Sequence, residues 1–176
     1  NGFVTAVEQQ EVCPVIQLPA TWDDYLSLLD KKQRHELRRK LRRAGDQVDW
    51  YIVGPGDDLA AATQAFLHLM ALSSPDKAAF LGDTDNVAFF HALIPPLMAA
   101  GWLQLSFLTV AGEPAAAYLN FDYSDRIMVY NSGQDIERFG ALSAGIVLLA
   151  HTIRHAIDSG RSAFDFLRGD ETYKYQ

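Results

Sequence analysis

The residues best suited by type and spacing to do chemistry lie near the end of the chain. Arg168, Asp170, Tyr173 and Lys174 follow an apolar, strand-like run from Ser162 to Leu167. Ligands of α/β sheets bind outside such carboxyl ends of strands. Upstream, a strand-like run from Arg126 to Tyr130 leads through a polar loop into a helical stretch from Ser143 to Ser159. A helix start presents free backbone N–H groups and the positive end of a dipole. Ser143, Ala144, Gly145 and Ile146 therefore suit a phosphate or another anion, and the plainer role for Ser143 is that of N-cap. A crossover helix returns the chain to the same end of the sheet. The final strand should then run parallel to Arg126–Tyr130 and bring the anion site and Arg168 to one edge. Asp165 sits between Phe164 and Phe166, and alternation aims it away from both. A half-buried carboxylate there can serve as a general base or pair with a nearby arginine as scaffold, and scaffold is the expected role.

A second group is a basic run. From Lys31 to Arg43 there are eight bases and one acid, Glu36, a charge of +7 in thirteen residues, while the rest of the chain carries −14. Arg38, Arg39 and Arg42 can grip an anionic substrate such as a sugar phosphate, a lipid-carried nucleotide sugar or tRNA. The alternative is a solvated helix held down through Leu37 and Leu41. His151 and His155 stand one helical turn apart, but no Cys or Glu-x-x-His pattern accompanies them, and no metal is expected.

The chain that must position these groups has 176 residues, 49% of them hydrophobic and 21% charged. That is enough for one packed core and unlike a disordered chain. An acidic body with a single basic helix does not resemble a general nucleic-acid binder. No apolar stretch is long enough for a membrane span, no leader pattern opens the chain, and one cysteine, Cys13, allows no internal disulfide; all three fit the cytoplasm. The chain starts without Met and stops just after its most charged aromatic segment, so a fragment of a longer protein is expected.

Pro14 to Leu18 reads as an edge strand between prolines. Thr21 and Asp30 are N-cap candidates for a short helix and for the basic one, which ends near Gly45. A strand from Val48 to Val53 is followed by a helix from Asp57 to Leu72 and another from about Thr84 to Ala100, which Pro95-Pro96 should kink or split. Strands Leu103–Val110, Ala115–Tyr123 and Arg126–Tyr130 are joined by hairpin-length links. The fold class is α+β with a mixed, mostly antiparallel sheet flanked by helices. Residues 1–45 read as an N-terminal segment and basic helical arm, and 46–176 as the main domain.

This order resembles the GNAT acyltransferase fold. Leu142-Ser143-Ala144-Gly145-Ile146-Val147-Leu148-Leu149 and Phe164-Asp165-Phe166-Leu167-Arg168-Gly169-Asp170-Glu171 with Tyr173-Lys174 are similar to the CelD-like GNAT group of polysaccharide synthesis. The run Lys32 to Arg43 resembles the basic helix of that group and of Fem-type aminoacyl transferases, which pair two GNAT-like domains. The usual phosphate loop is altered: the glycine of Arg138-Phe139-Gly140-Ala141 comes one place early, and Leu142 stands where Arg or Gln precedes the later glycine. The resemblance implies transfer of an acyl group from acetyl-CoA or another acyl-CoA to an amine on a glycan or cell-envelope precursor. Its alternatives are an aminoacyl-tRNA donor and a non-catalytic GNAT-like half serving as a scaffold. It further implies donor phosphates at Ser143–Ile146, a second GNAT-like domain, and strands beyond residue 176. Lys174 would lie beside the reacting carbonyl and Tyr173 would protonate a leaving thiolate.

Overall fold

Short side-chain caps set most helix starts. The computed structural model describes residues 11–169. Helix α1 (Trp22–Leu28) begins at Thr21, whose hydroxyl accepts from the Asp24 N–H at 3.1 Å. The basic helix α2 (Lys31–Ala44) opens with a capping box: Asp30 accepts from Gln33 N–H at 2.8 Å, and the Gln33 amide accepts from Asp30 N–H at 3.2 Å. Such caps offset the unpaired N–H groups of a first turn. Before α1 lies strand β1 (Val15–Gln17); after α2 comes β2 (Val48–Ile52). Helices α3 (Leu59–Ser73), α4 (Pro75–Leu81) and α5 (Thr84–Ala99) follow. Then come strands β3 (Leu103–Val110), β4 (Glu113–Tyr123) and β5 (Arg126–Gln134), helices α6 (Ile136–Phe139) and α7 (Ala144–Asp158), and strand β6 (Ala163–Asp165).

One six-stranded sheet runs in the order β1-β6-β5-β4-β3-β2. Every pairing is antiparallel except β5 with β6, which is parallel, as a strand–helix–strand crossover requires. Two-residue turns join β3 to β4 and β4 to β5. Ala111 and Gly112 (φ 50° and 81°) and Ser124 and Asp125 (φ 52° and 62°) supply the left-handed pairs that match strand twist. Alternating side chains feed two cores. Leu108, Tyr118, Ile127, Val129 and Phe164 pack under α1, α2 and α7. Leu105, Phe107, Ala117 and Leu119 pack under α3 and α5. Tyr25, Leu26 and Ala44 are buried in the first of these cores, so the residues before 45 share it with the sheet.

Four local expectations are corrected. Helix α4 is additional; Ser74 caps it and Pro75 starts it, and its seven residues are too few to show a hydrophobic period. Strand β5 runs on through Gln134, four polar or glycine residues past its expected end. Pro95 and Pro96 lie inside α5 without dividing it. Ser143 precedes α7 in the left-handed region (φ 56°, ψ 44°) and makes no capping hydrogen bond.

Candidate active site

The parallel pairing of β5 with β6 ends at Met128↔Asp165. Strand β5 then continues from Val129 to Gln134, and among the described residues none pairs with its β6-side edge, so the two central strands part like a V. At the fork β5 bulges. Asn120 pairs with Val129 and Leu119 with Asn131, which leaves Tyr130 as the extra residue. The Tyr130 ring lies 5.2 Å from Phe121 and 6.3 Å from Phe90, on the α5 side of the sheet.

Beyond the fork the unpaired edge faces two other elements. The first turn of α7 approaches so closely that a Cβ on Gly145 would lie 2.6 Å from the Gln134 side-chain oxygen. In α7 the first hydrogen bond runs from Val147 N–H to the Ser143 carbonyl at 3.0 Å, so the N–H groups of Ala144, Gly145 and Ile146 precede it. Helices α1 to α6 all have a side-chain cap, while α7 has none. From the other side Lys77 of α4 reaches the edge, its Nζ donating to the Ser132 carbonyl at 2.5 Å. Between α4, the β5 edge and Gly145 lies a cavity of about 220 Å³.

The residues expected to act there are divided. Ser143, Ala144, Gly145 and Ile146 are at the fork, and Gly145 lines the cavity. Asp165 is buried on β6; one oxygen accepts from the Leu167 N–H at 2.8 Å and the other lies 3.7 Å from Arg126. The first of these contacts bridges the turn in which Leu167 takes a φ of 53°. Arg168 is exposed and donates twice to Glu11, at 2.7 and 3.0 Å, which raises its already high pKa. Tyr173 and Lys174 lie outside the described residues.

The basic helix stands apart from the fork, across α7. Arg39 forms a two-pronged pair with Glu36, at 2.7 and 2.8 Å, and this hydrogen bond holds the Glu36 carboxyl below its usual range. Arg38 and Arg42 are exposed. A groove of about 400 Å³ separates α2 from α7, with Leu149 and Ile153 at its floor and Lys32 and Lys40 along it. His151 stacks on Trp50 at 5.2 Å, and its burial, with Arg154 nearby, lowers its pKa. Among the described residues no group of three or more His, Cys, Asp or Glu is placed to hold a metal ion. No single helix there is long and apolar enough to cross a membrane.

Lys77, Tyr130 and Gln134 belong to the site but were not anticipated. The Ser74-Pro75 pair was a readable signal for α4, since both residues favour a helix start. Nothing local in the sequence marks the bulge or the contact of Gln134 with Gly145.

A fork between parallel strands, a bulge at it and an open helix start beyond it define an acyl-group transferase fold, and the sequence agrees. Residues 31–175 match the acetyltransferase (GNAT) domain. The chain belongs to that family. No curated protein matches the sequence. Among solved structures the chain is similar to FemX (11% identity, TM-score 0.66), over 97% of this chain and 57% of that one. It is also similar to L-PGS from Bacillus licheniformis (12%, TM-score 0.55), over 84% and 45% respectively. A conserved protein of unknown function from Bacteroides thetaiotaomicron VPI-5482 (17%, TM-score 0.56) is covered over 58% of its length by 93% of this chain. The chain thus spans about half the length of each.

Proposed function

We propose that this domain moves an acyl group from an acyl-CoA such as acetyl-CoA to an amine. The observation that carries the reading is the fork: β5 leaves β6 after Met128, bulges at Tyr130 and continues as an edge that no described residue pairs, which leads to the uncapped first turn of α7. The donor's phosphates sit at Ser143–Ile146 and its chain lies along the β5 edge. The amine nitrogen attacks the thioester carbon, a C–N bond forms, the C–S bond breaks, and the leaving thiolate takes a proton. Negative charge grows on the carbonyl oxygen during attack, and backbone N–H groups on β5 near the bulge are suited to meet it. Most of the acceleration comes from holding the two reactants in line. In this reading Tyr173 supplies the thiolate's proton, Lys174 stands beside the carbonyl, and Asp165 is scaffold. The amine belongs to a glycan or cell-envelope precursor met in the cytoplasm, which Arg38, Arg39, Arg42 and Arg168 help to hold. A second GNAT-like domain completes the protein.

One observation favours a different donor. The single base of the β5–α7 loop, Arg138, is turned away to Glu113 at 2.5 Å, so an aminoacyl-tRNA donor is the second reading. Calorimetry with CoA and acetyl-CoA tests the first. Gly145→Asp puts a carboxylate at the phosphate position and should abolish CoA binding while the protein stays folded. Unchanged affinity in that variant rejects the site. In the full-length protein, Lys174→Ala should lower kcat on the order of 100-fold with donor affinity nearly unchanged.

A further inference from the structure

We infer that the exposed face of α2, with Leu28 at its start, seats this domain on an anionic lipid surface. The inference goes beyond the acyl-donor reading and stands without it.

The argument starts from the helix itself. Leu37, Leu41 and Ala44 turn to the first core. The positions opposite them are Lys31, Lys32, His35, Arg38, Arg39, Arg42 and Arg43, every one exposed. At 3.6 residues per turn these positions fall within an arc of about 140°. The 14 residues of α2 make that strip about 20 Å long. All of its side chains except His35 are Lys or Arg. Acids border the strip without entering it: Asp30 caps its start, Glu36 at its margin is held by Arg39 and Lys40, and Asp46 follows its end. The chain outside the basic run carries −14. The molecule therefore presents one cationic strip on an acidic body, and such a strip attracts a surface of negative charge.

A bilayer suits the strip better than a nucleic acid for two reasons. Leu28 closes α1 three residues before Lys31. At 68% exposure it is the most open large apolar side chain among the described residues. A leucine beside lysines makes an interfacial anchor: the apolar group enters the acyl boundary while the ammonium groups meet the headgroups. It offers nothing to a phosphate backbone, and nucleic-acid bases stack on aromatic rings instead. The second reason is shape. A plane touches one face of the molecule, so the acidic body turns away into solvent, beyond a Debye length of about 8 Å at physiological salt. A polyanion longer than the strip runs on over acidic surface and is repelled there. The contact is peripheral, made by one helix face and one leucine.

Vesicle flotation tests this with the 176-residue chain, using phosphatidylcholine vesicles with and without phosphatidylglycerol. Wild type should float with the anionic vesicles and not with the neutral ones, and rising salt should release it. Each base at an anionic surface contributes roughly fivefold in affinity, so the combined variant Lys31→Gln, Lys32→Gln and Arg43→Gln should bind on the order of 100-fold more weakly. All three positions are exposed and lie outside the Glu36–Arg39 pair, and circular dichroism should show the fold unchanged. Leu28→Ser should weaken binding roughly tenfold at low and high salt alike. Failure of wild type to float with the anionic vesicles overturns the inference, as does wild-type affinity in either variant. Binding of a short RNA without binding of the vesicles also overturns it and gives the strip to a nucleic acid. Titration of wild type with CoA reads the donor site separately, so either reading can fail alone.

Discussion

Gly133→Ala should damage the fold and the site together. Gly133 lies on β5 between Ser132 and Gln134, and its buried face meets the backbone of α3. An added Cβ would be 2.3 Å from the Met70 nitrogen, 2.5 Å from the Leu69 carbonyl carbon and 2.8 Å from the Met70 Cα. All three atoms are helix backbone, so no rotamer change relieves the clash, and the helix and strand must separate by about 1 Å to restore ordinary contact distances. Extra carbon in a packed core costs roughly 1–3 kcal/mol when side chains absorb it. With backbone on both sides the upper end, about 3 kcal/mol, is expected. For a chain of 150–250 residues that lowers Tm by roughly 6–12 °C. The shift also moves Gln134 relative to Gly145 in the first turn of α7, so CoA affinity measured well below the melting point should fall as well. Thermal unfolding followed by circular dichroism reads the first effect and calorimetry the second. Gly56→Ala is the control: Gly56 has nothing within 4 Å of an added Cβ and no left-handed φ, and the change should be neutral or slightly stabilising. If Gly133→Ala melts within about 2 °C of the control, α3 does not press on β5 as described and its coupling to the site fails with it.

Reversing Arg38, Arg39 and Arg42 to Glu should weaken binding of an anionic glycan precursor at low salt and less so at high salt; equal binding by wild type and variant would leave α2 a solvated face. Asp165→Ala should destabilise the chain by about 1–2 kcal/mol through the unpaired Leu167 N–H, while Asp165→Asn keeps the acceptor and should leave turnover near wild type, and a fall of 100-fold or more there, the scale of a lost general base, would make Asp165 catalytic after all. The lowered pKa of His151 means the unfolded chain binds its proton more readily than the folded one, so stability is full above the ordinary value of 6.5 and falls as pH drops through the folded pKa below it. His151→Phe keeps a ring on Trp50 and should flatten that acid-side slope in denaturant titrations at several pH values.

Much of this architecture was legible because the chain declares it locally. Thr21 and Asp30 announce α1 and α2 through their caps, and the Ala111-Gly112 and Ser124-Asp125 turns announce the meander. The crossover predicts a parallel β6, and alternation alone separates Asp165 from the phenylalanines beside it. What stayed hidden is set by tertiary contact. Residues Asn131 to Gln134 have poor strand propensity and read as loop; they extend β5 because Ala116 to Leu119 pair with them and because Gly133 lets α3 settle on them. The fork itself is, among the described residues, a missing partner, and no residue type encodes the absence of a neighbour.

Ser143 shows how a locally sound rule fails at a working position. Serine before an apolar helix normally caps it, and losing such a cap costs about 0.5–2 kcal/mol. Capping requires extended backbone at that residue. Here the tight turn of Gly140 to Leu142 ends with the Ser143 N–H bonded to the Gly140 carbonyl at 2.9 Å, which holds Ser143 left-handed. Its hydroxyl then makes no cap, and the N–H groups of Ala144 to Ile146 are left without that partner. The six preceding helices are capped by side chains, so the omission at α7 does not reflect a shortage of capping residues in this chain. A first turn left uncapped beside a strand edge that no described residue pairs sacrifices local stability where an anionic donor can supply the missing acceptors, which is the kind of site at which local sequence rules are expected to break.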